Sequence, residues 1–177
     1  GEVLEQLREK VKEMLFQHGD SREQKDGMEM SMAVIDRQKR KLLFAGSNMR
    51  LFIVGPKRTG SDNELRPALS SPGGDAHLFE FKGDRQPIGI YWEERKFTSH
   101  RIPLQKGDIL YLFTDGFVDQ YGGKERKKFK VVHFKKLLLA LQKEPLQRQK
   151  ELLEEKFESW KGEQEQIDDV CVVGLKV

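Results

Sequence analysis

Short apolar runs separated by charged or glycine-bearing turns fill the middle of the chain from Met28 to Phe113, whereas the residues before and after carry helical spacing. At the amino end Val3, Leu4, Leu7, Val11, Met14 and Leu15 recur among Glu, Lys, Gln and Arg, which predicts an amphipathic helix over residues 2–17. Met28 to Ile35 and Leu42 to Ala45 flank a charged turn and predict a hairpin; Leu51 to Val54 would add a third strand and make a meander. The alternating Met28, Met30 and Met32 read as the core face of the first strand. Residues 55–75, with Pro56, Pro67 and Pro72, have the composition of a long surface loop, and mobility is expected there. Strands are expected again at 76–81, 88–92, 97–102 and 108–113.

Helical spacing then returns over 131–143, through Phe134, Leu137, Leu138 and Leu141, and over 146–160, through Leu152, Leu153, Phe157 and Trp160, with Pro145 at the second helix start. Val170 to Val177 closes the chain as a strand. A helix, many strands, two helices and a closing strand suggest an α+β protein in which antiparallel sheets are layered with helices.

A chain of 177 residues has the length of one domain, and 37 % hydrophobic with 34 % charged residues describes a folded, well-solvated protein. No run approaches the roughly 18 apolar residues of a membrane span and no signal-peptide pattern opens the chain, so a cytoplasmic location is expected. The single Cys171 lies in the run Val170–Val173 and reads as a buried hydrophobe; a disulfide framework is excluded. A net charge of +3, from 32 basic and 29 acidic residues, is too small to indicate a nucleic-acid binder. The densest basic cluster, Lys124 to Lys136, reads as a solvated helix-entry face, with a phosphate-binding patch as the other reading.

The sharpest local feature is Leu110-Tyr111-Leu112-Phe113-Thr114-Asp115-Gly116, an apolar strand ending in an acid and a glycine that permits an abrupt turn. An acid held at a strand end suits a hard divalent cation, although Asp-Gly is also a common turn dipeptide. Asp168-Asp169 stands just before the closing strand. If the two strands are neighbours, Asp115 and Asp168 reach one edge, where a cation would relieve their repulsion. The alternative is that Asp168 and Asp169 merely end the preceding helix and loop. Asp119 is expected to face solvent on an irregular segment, and Asp26 in Lys25-Asp26-Gly27 reads as a turn residue outside the metal set.

Taken in order, Lys25-Asp26-Gly27-Met28, Phe44-Ala45-Gly46-Ser47-Asn48, Gln86-Pro87-Ile88-Gly89-Ile90, Gly107 through Gly116, and Gln166 through Val173 resemble the SpoIIE-like branch of the metal-dependent Ser/Thr protein phosphatase (PPM) family, over nearly the whole chain. The resemblance implies a sandwich of two antiparallel sheets flanked by helices, with a two-metal site for Mn2+ or Mg2+ at one end. It matches Asp115 and Asp168 to catalytic metal ligands, with Gly116 and Asp169 beside them in the metal set. The reaction implied is hydrolysis of phosphoserine or phosphothreonine by a cation-activated water, without a covalent enzyme intermediate. That accords with a chain in which none of the four histidines sits in a recognisable motif.

The family pattern begins with an upstream acidic strand and an Asp followed by a Gly-His-Gly type turn, and neither is present; His18-Gly19-Asp20 lies in a polar loop after a helix. Residues 1–177 therefore read as one partial domain lacking its amino-terminal strands, with little or no activity alone. The natural protein would place a sensor or repeat module upstream and act on a phosphorylated regulatory protein. Sheet edges left without those strands would favour dimerisation. The alternative is a non-catalytic protein-binding module of the same fold, acting through the 55–75 loop and the basic segment.

Overall fold

The computed structural model describes residues 1–17, 26–58 and 66–177. In chain order the elements are α1 (Glu2–Met14), β1 (Gly27–Met28), β2 (Met30–Asp36), β3 (Lys41–Ser47), β4 (Arg50–Gly55), β5 (Leu69–Ser70), β6 (His77–Lys82), β7 (Ile88–Gly89) and β8 (His100–Pro103). They continue with β9 (Ile109–Phe113), α2 (Gly116–Asp119), β10 (Tyr121–Gly122), β11 (Lys127–Lys128), α3 (Val131–Leu141), α4 (Leu146–Lys161) and β12 (Val172–Lys176). The chain divides into two compact units, Gly1–Leu51 with Phe81–Leu104, and Phe52–Glu80 with Gln105–Val177.

In the first unit β2 and β3 form the expected hairpin, in register from Met30↔Ser47 to Asp36↔Lys41, and β3 pairs on its other side with β8. Leu42, Phe44 and Ala45 of β3 are buried because β3 is the central strand of three. β2 lies at the edge, so Met30 and Met32 are only half-buried; Met30 packs against the cluster of Leu4, Val11, Ala45, Ile88 and Phe97, whereas Met28, on β1, is exposed, and the core face expected of all three methionines is met in part. The meander expectation also fails. After Asn48, whose φ is +56°, the chain turns into β4, and β4 belongs to a different sheet from β3.

Leu4 and Val11 of α1, with Leu7 beside them, pack on Ala45, Ile88 and Phe97. Val3 and Met14 stay exposed, so the buried stripe is narrower than the sequence pattern. Arg8 is buried on the same helix; it pairs with Glu5, donates to Gln86 Oε1 at 3.3 Å and the Arg95 carbonyl at 3.1 Å, and lies 5.0 Å from the Phe97 ring. Gln86 in turn bonds both the N–H and the carbonyl of Arg95. α1 is thus fastened by buried polar contacts as well as by its apolar stripe. Phe97 is buried outside any strand, and the strand expected over 88–92 is reduced to the two residues of β7, paired with β1.

The second unit is built on a five-stranded sheet of order β12-β9-β4-β6-β5, to which β4 contributes from Phe52 onward and β6 up to Glu80. β5 interrupts what the sequence suggests is one long loop by pairing Leu69 with Leu78; residues 59–65 of that loop, and His18-Gly19-Asp20, lie outside the described residues. α3 and α4 bury Phe134, Leu138, Leu153 and Phe157 against Phe52, Val54, Tyr111 and Phe113. Phe113 stacks tilted on Phe52 at 4.8 Å and on Phe134 at 4.9 Å; Phe117 lies 4.8 Å from Phe134 and 5.2 Å from Phe157. Each such side chain contributes about 1.5–3 kcal/mol through burial, so this aromatic cluster rigidly holds the end of β9 and the start of α2.

At the other end of β9 a buried ion pair closes the sheet: Arg58 Nη2 lies 2.6 Å from Asp108 Oδ2, with both side chains almost fully enclosed. Asp108 also accepts from the Gln105 N–H, and its carbonyl accepts from the Val177 N–H. Gly55 has to be glycine here, since a Cβ would stand 2.0 Å from Asp108 Oδ1.

Candidate functional site

β9 and β12 are antiparallel neighbours, with Phe113 opposite Val172 and Ile109 opposite Lys176. The carboxyl end of β9 therefore meets the amino end of β12, and residues 114–116 come to the same edge as 168–171. Thr114 stitches the two together. Its N–H donates to the Cys171 carbonyl at 3.0 Å, its hydroxyl donates to the Asp169 carbonyl at 2.8 Å, and the same oxygen accepts the Cys171 N–H at 2.9 Å.

Gly116 is the first residue of α2 and is not a left-handed turn residue. It is required for proximity: a Cβ would stand 2.4 Å from the Asp169 carbonyl oxygen and 2.9 Å from its carbon. The glycine after Asp115 thus allows the two acid-bearing segments to touch, where the sequence suggests only a permissive turn.

Asp115 occupies the N-cap position of α2, yet its carboxylate makes no capping hydrogen bond. It is left to face the carboxylate of Asp168. Partial desolvation raises the Asp115 carboxyl above its ordinary value, and the negative charge of Asp168 raises it further, with a smaller push from Asp119. Two neighbouring carboxyl groups held on backbone that is stitched together form a pair of hard oxygen donors suited to Mg2+ or Mn2+. Such ions take about six oxygen ligands. Among the described residues no group of three or more His, Cys, Asp or Glu is placed to hold a metal ion. Asp169 adjoins the pair, with its N–H bonded to Asp168 Oδ1 at 2.7 Å.

Two expectations near the site need correction. Cys171 is exposed: it stands just before β12, the outermost strand of its sheet, where the apolar run Val170–Val173 meets an open edge. Asp119 is the last residue of α2, half-buried, and ion-paired with Lys128 Nζ at 2.7 Å; its N–H donates to the Asp115 carbonyl at 2.8 Å. Thr114 and Lys128 are the site neighbours that sequence reasoning missed. A threonine immediately before a strand-end Asp-Gly is a residue able to bond local backbone, and that was the legible signal; Lys128 was hidden within a run of cations.

The sequence profile of the family described as Stage II sporulation protein E (SpoIIE) matches residues 1–177. The chain belongs to the SpoIIE family. Solved structures agree in fold. The SiaA-PP2C domain of Pseudomonas aeruginosa superposes with a TM-score of 0.77 at 24% identity, covering 99% of this chain and 59% of that one. The PP2C phosphatase domain of SpoIIE from Bacillus subtilis, solved with a fragment of its regulatory domain, gives 0.63 at 17%, covering 99% and 47%. RsbX in complex with magnesium gives 0.51 at 16%, covering 84% and 55%. Among curated proteins none matches.

The α+β architecture of this SpoIIE-family chain is therefore that of PP2C-type phosphatase domains, and the chain spans about half to three-fifths of the length of these structures. No helix among the described residues is long and apolar enough to cross a membrane.

Proposed function

We propose that this chain is the carboxy-terminal part of a SpoIIE-family signalling phosphatase that hydrolyses phosphoserine or phosphothreonine on a regulatory protein, using Mg2+ or Mn2+ held by Asp115 and Asp168. The observation that carries this reading is the convergence of those two acids on one stitched sheet edge, where their repulsion leaves a cation as the natural partner. Magnesium in the RsbX complex agrees with it. Gly116 and Asp169, in contact across the edge, belong to this chain's share of the proposed metal set.

When bound, the cations supply charge neutralisation at the phosphoryl oxygens and an acidified water. The residues of this chain supply position. Thr114 and the close approach of Gly116 to Asp169 keep the two carboxylates at fixed separation, so they need no reorganisation as the phosphate is attacked. The reaction adds water to phosphorus and breaks the bond from phosphorus to the serine or threonine oxygen, which leaves carrying a proton. The remaining acidic ligands come, in this reading, from the family's upstream segment, so this chain alone binds cations weakly and turns over little. The fragment of regulatory domain in the Bacillus subtilis structure supports a regulatory module in the natural protein, which this reading places upstream.

A second reading, a protein-binding module without catalysis, is favoured by the two-acid limit of the site among the described residues. The experiment that separates them is manganese-dependent hydrolysis of a phosphoserine peptide by the longer natural chain, beside its Asp115→Asn and Asp168→Asn variants. Activity lost in both variants supports the phosphatase; a longer chain without activity supports the binding module.

A further inference from the structure

The segment after Asp119 is a small basic hairpin held rigidly beside the acid pair. β10 and β11 pair through Tyr121↔Lys128 and Gly122↔Lys127. Phe129 is buried, edge-on to Phe117 at 5.2 Å and to Trp160 at 5.3 Å. Trp160 Nε1 donates to the Gln120 carbonyl, the Trp160 carbonyl accepts the Gly123 N–H, and the Lys130 N–H donates to the Val118 carbonyl at 2.7 Å. Gly122 approaches α4 so closely that a Cβ would meet the Trp160 carbonyl oxygen at 1.9 Å. The hairpin is therefore a preorganised platform.

Its position relative to the site follows from Asp119, one turn of α2 beyond Asp115 and paired with Lys128. Its charge is only partly spent internally. Lys127 pairs with Glu125 and Lys128 with Asp119, whereas Lys124, Arg126 and Lys130 are exposed and have no ion-pair partner among the described residues. Arg126 and Lys130 have φ of +46° and +72°, left-handed positions where glycine would cost less. The backbone thus carries cations where its conformation does not favour them.

Resting on the phosphatase reading, we propose that this hairpin reads substrate: Lys124, Arg126 and Lys130 bind acidic side chains that flank the phosphorylated residue of the target protein. The hairpin is short and bordered by acids: Asp119 pairs with Lys128, the charge of Asp115 also acts on Lys128, and the Glu165 carbonyl accepts from Gln120. Such borders repel a continuous polyanion and suit a short acidic peptide.

The test is fluorescence anisotropy on this chain at low salt, with three labelled probes: a phosphoserine peptide with acidic flanks, its twin with neutral flanks, and a single-stranded oligonucleotide of equal charge. The acidic peptide binds about tenfold tighter than its twin, and the preference disappears in the triple variant Lys124→Gln, Arg126→Gln, Lys130→Gln and at high salt. A single Arg126→Glu variant reduces the preference in the same direction with minimal disturbance. Equal binding of the two peptides, a preference retained in the triple variant, or tighter binding of the oligonucleotide overturns the proposal. Binding needs no turnover, so the peptide preference is decided independently of whether the longer chain proves to be a phosphatase.

Discussion

Replacing Gly116 by alanine probes the contact on which the site depends. The added methyl would lie 2.4 Å from the Asp169 carbonyl oxygen and 3.2 Å from Val170 Cγ2, and the first of these is backbone that no rotamer change can move. To accommodate it, the segment before β12 has to back away from α2. Overpacking of this kind costs about 1–3 kcal/mol. The displacement also lengthens the 2.8 Å bond from the Thr114 hydroxyl to Asp169, adding about 1 kcal/mol. A loss of about 2–4 kcal/mol corresponds to a fall in Tm of about 4–16 °C for a chain of this size. Differential scanning calorimetry of Gly116→Ala beside wild type measures it. Thr114→Val, which removes the stitch without adding bulk where Gly116 sits, is expected to fall by less. A Gly116→Ala protein melting within 1 °C of wild type, on the order of a few tenths of a kcal/mol, would refute the close-contact argument.

Other perturbations have equally definite outcomes. Asp108→Ala breaks a buried ion pair by removing its carboxylate and is expected to cost about 3–5 kcal/mol, seen as a lower urea midpoint at unchanged slope. Lys130→Gly relieves a left-handed residue and is expected to stabilise by about 1 kcal/mol, measured by the same titration. The Asp115 carboxyl is raised by desolvation and by Asp168, so the metal-free native state holds its proton more tightly than the unfolded chain. Stability from this group is accordingly present at low pH and declines as pH climbs from the ordinary carboxylate value through the raised one. Melts across that window should show the decline in wild type and a flatter profile in Asp115→Asn.

Much of this architecture was legible because its elements follow local rules. The β2–β3 hairpin, α3, α4 and the Pro145 helix start follow from apolar period and turn chemistry. The pairing of β9 with β12, which unites Asp115 and Asp168, spans more than fifty residues of intervening chain, and no local pattern encodes it; only the ordered motif series pointed there. Burial was misread where it depends on a strand's place in the sheet. Met30 and Met32 have core-like sequence contexts, but β2 is an edge, and Cys171 stands just before β12, the outermost strand of its sheet. Gly116 was found for the wrong physical reason, since the contact requiring it comes from a segment distant in sequence. Lys128 could not be told from its basic neighbours until Asp119 was seen to face it.

The open edge of β12 also bears on the expected dimer, and the oligomeric state is measurable by sedimentation over a range of concentrations. The central claim, that Asp115 and Asp168 share one cation, is tested most directly by titrating this chain with Mn2+ and following free Mn2+ by electron paramagnetic resonance, beside Asp115→Asn, Asp168→Asn and an Asp36→Asn control. The account predicts weak saturable binding that each site variant reduces by about tenfold and the control leaves unchanged. Equal binding by wild type and both site variants would contradict it.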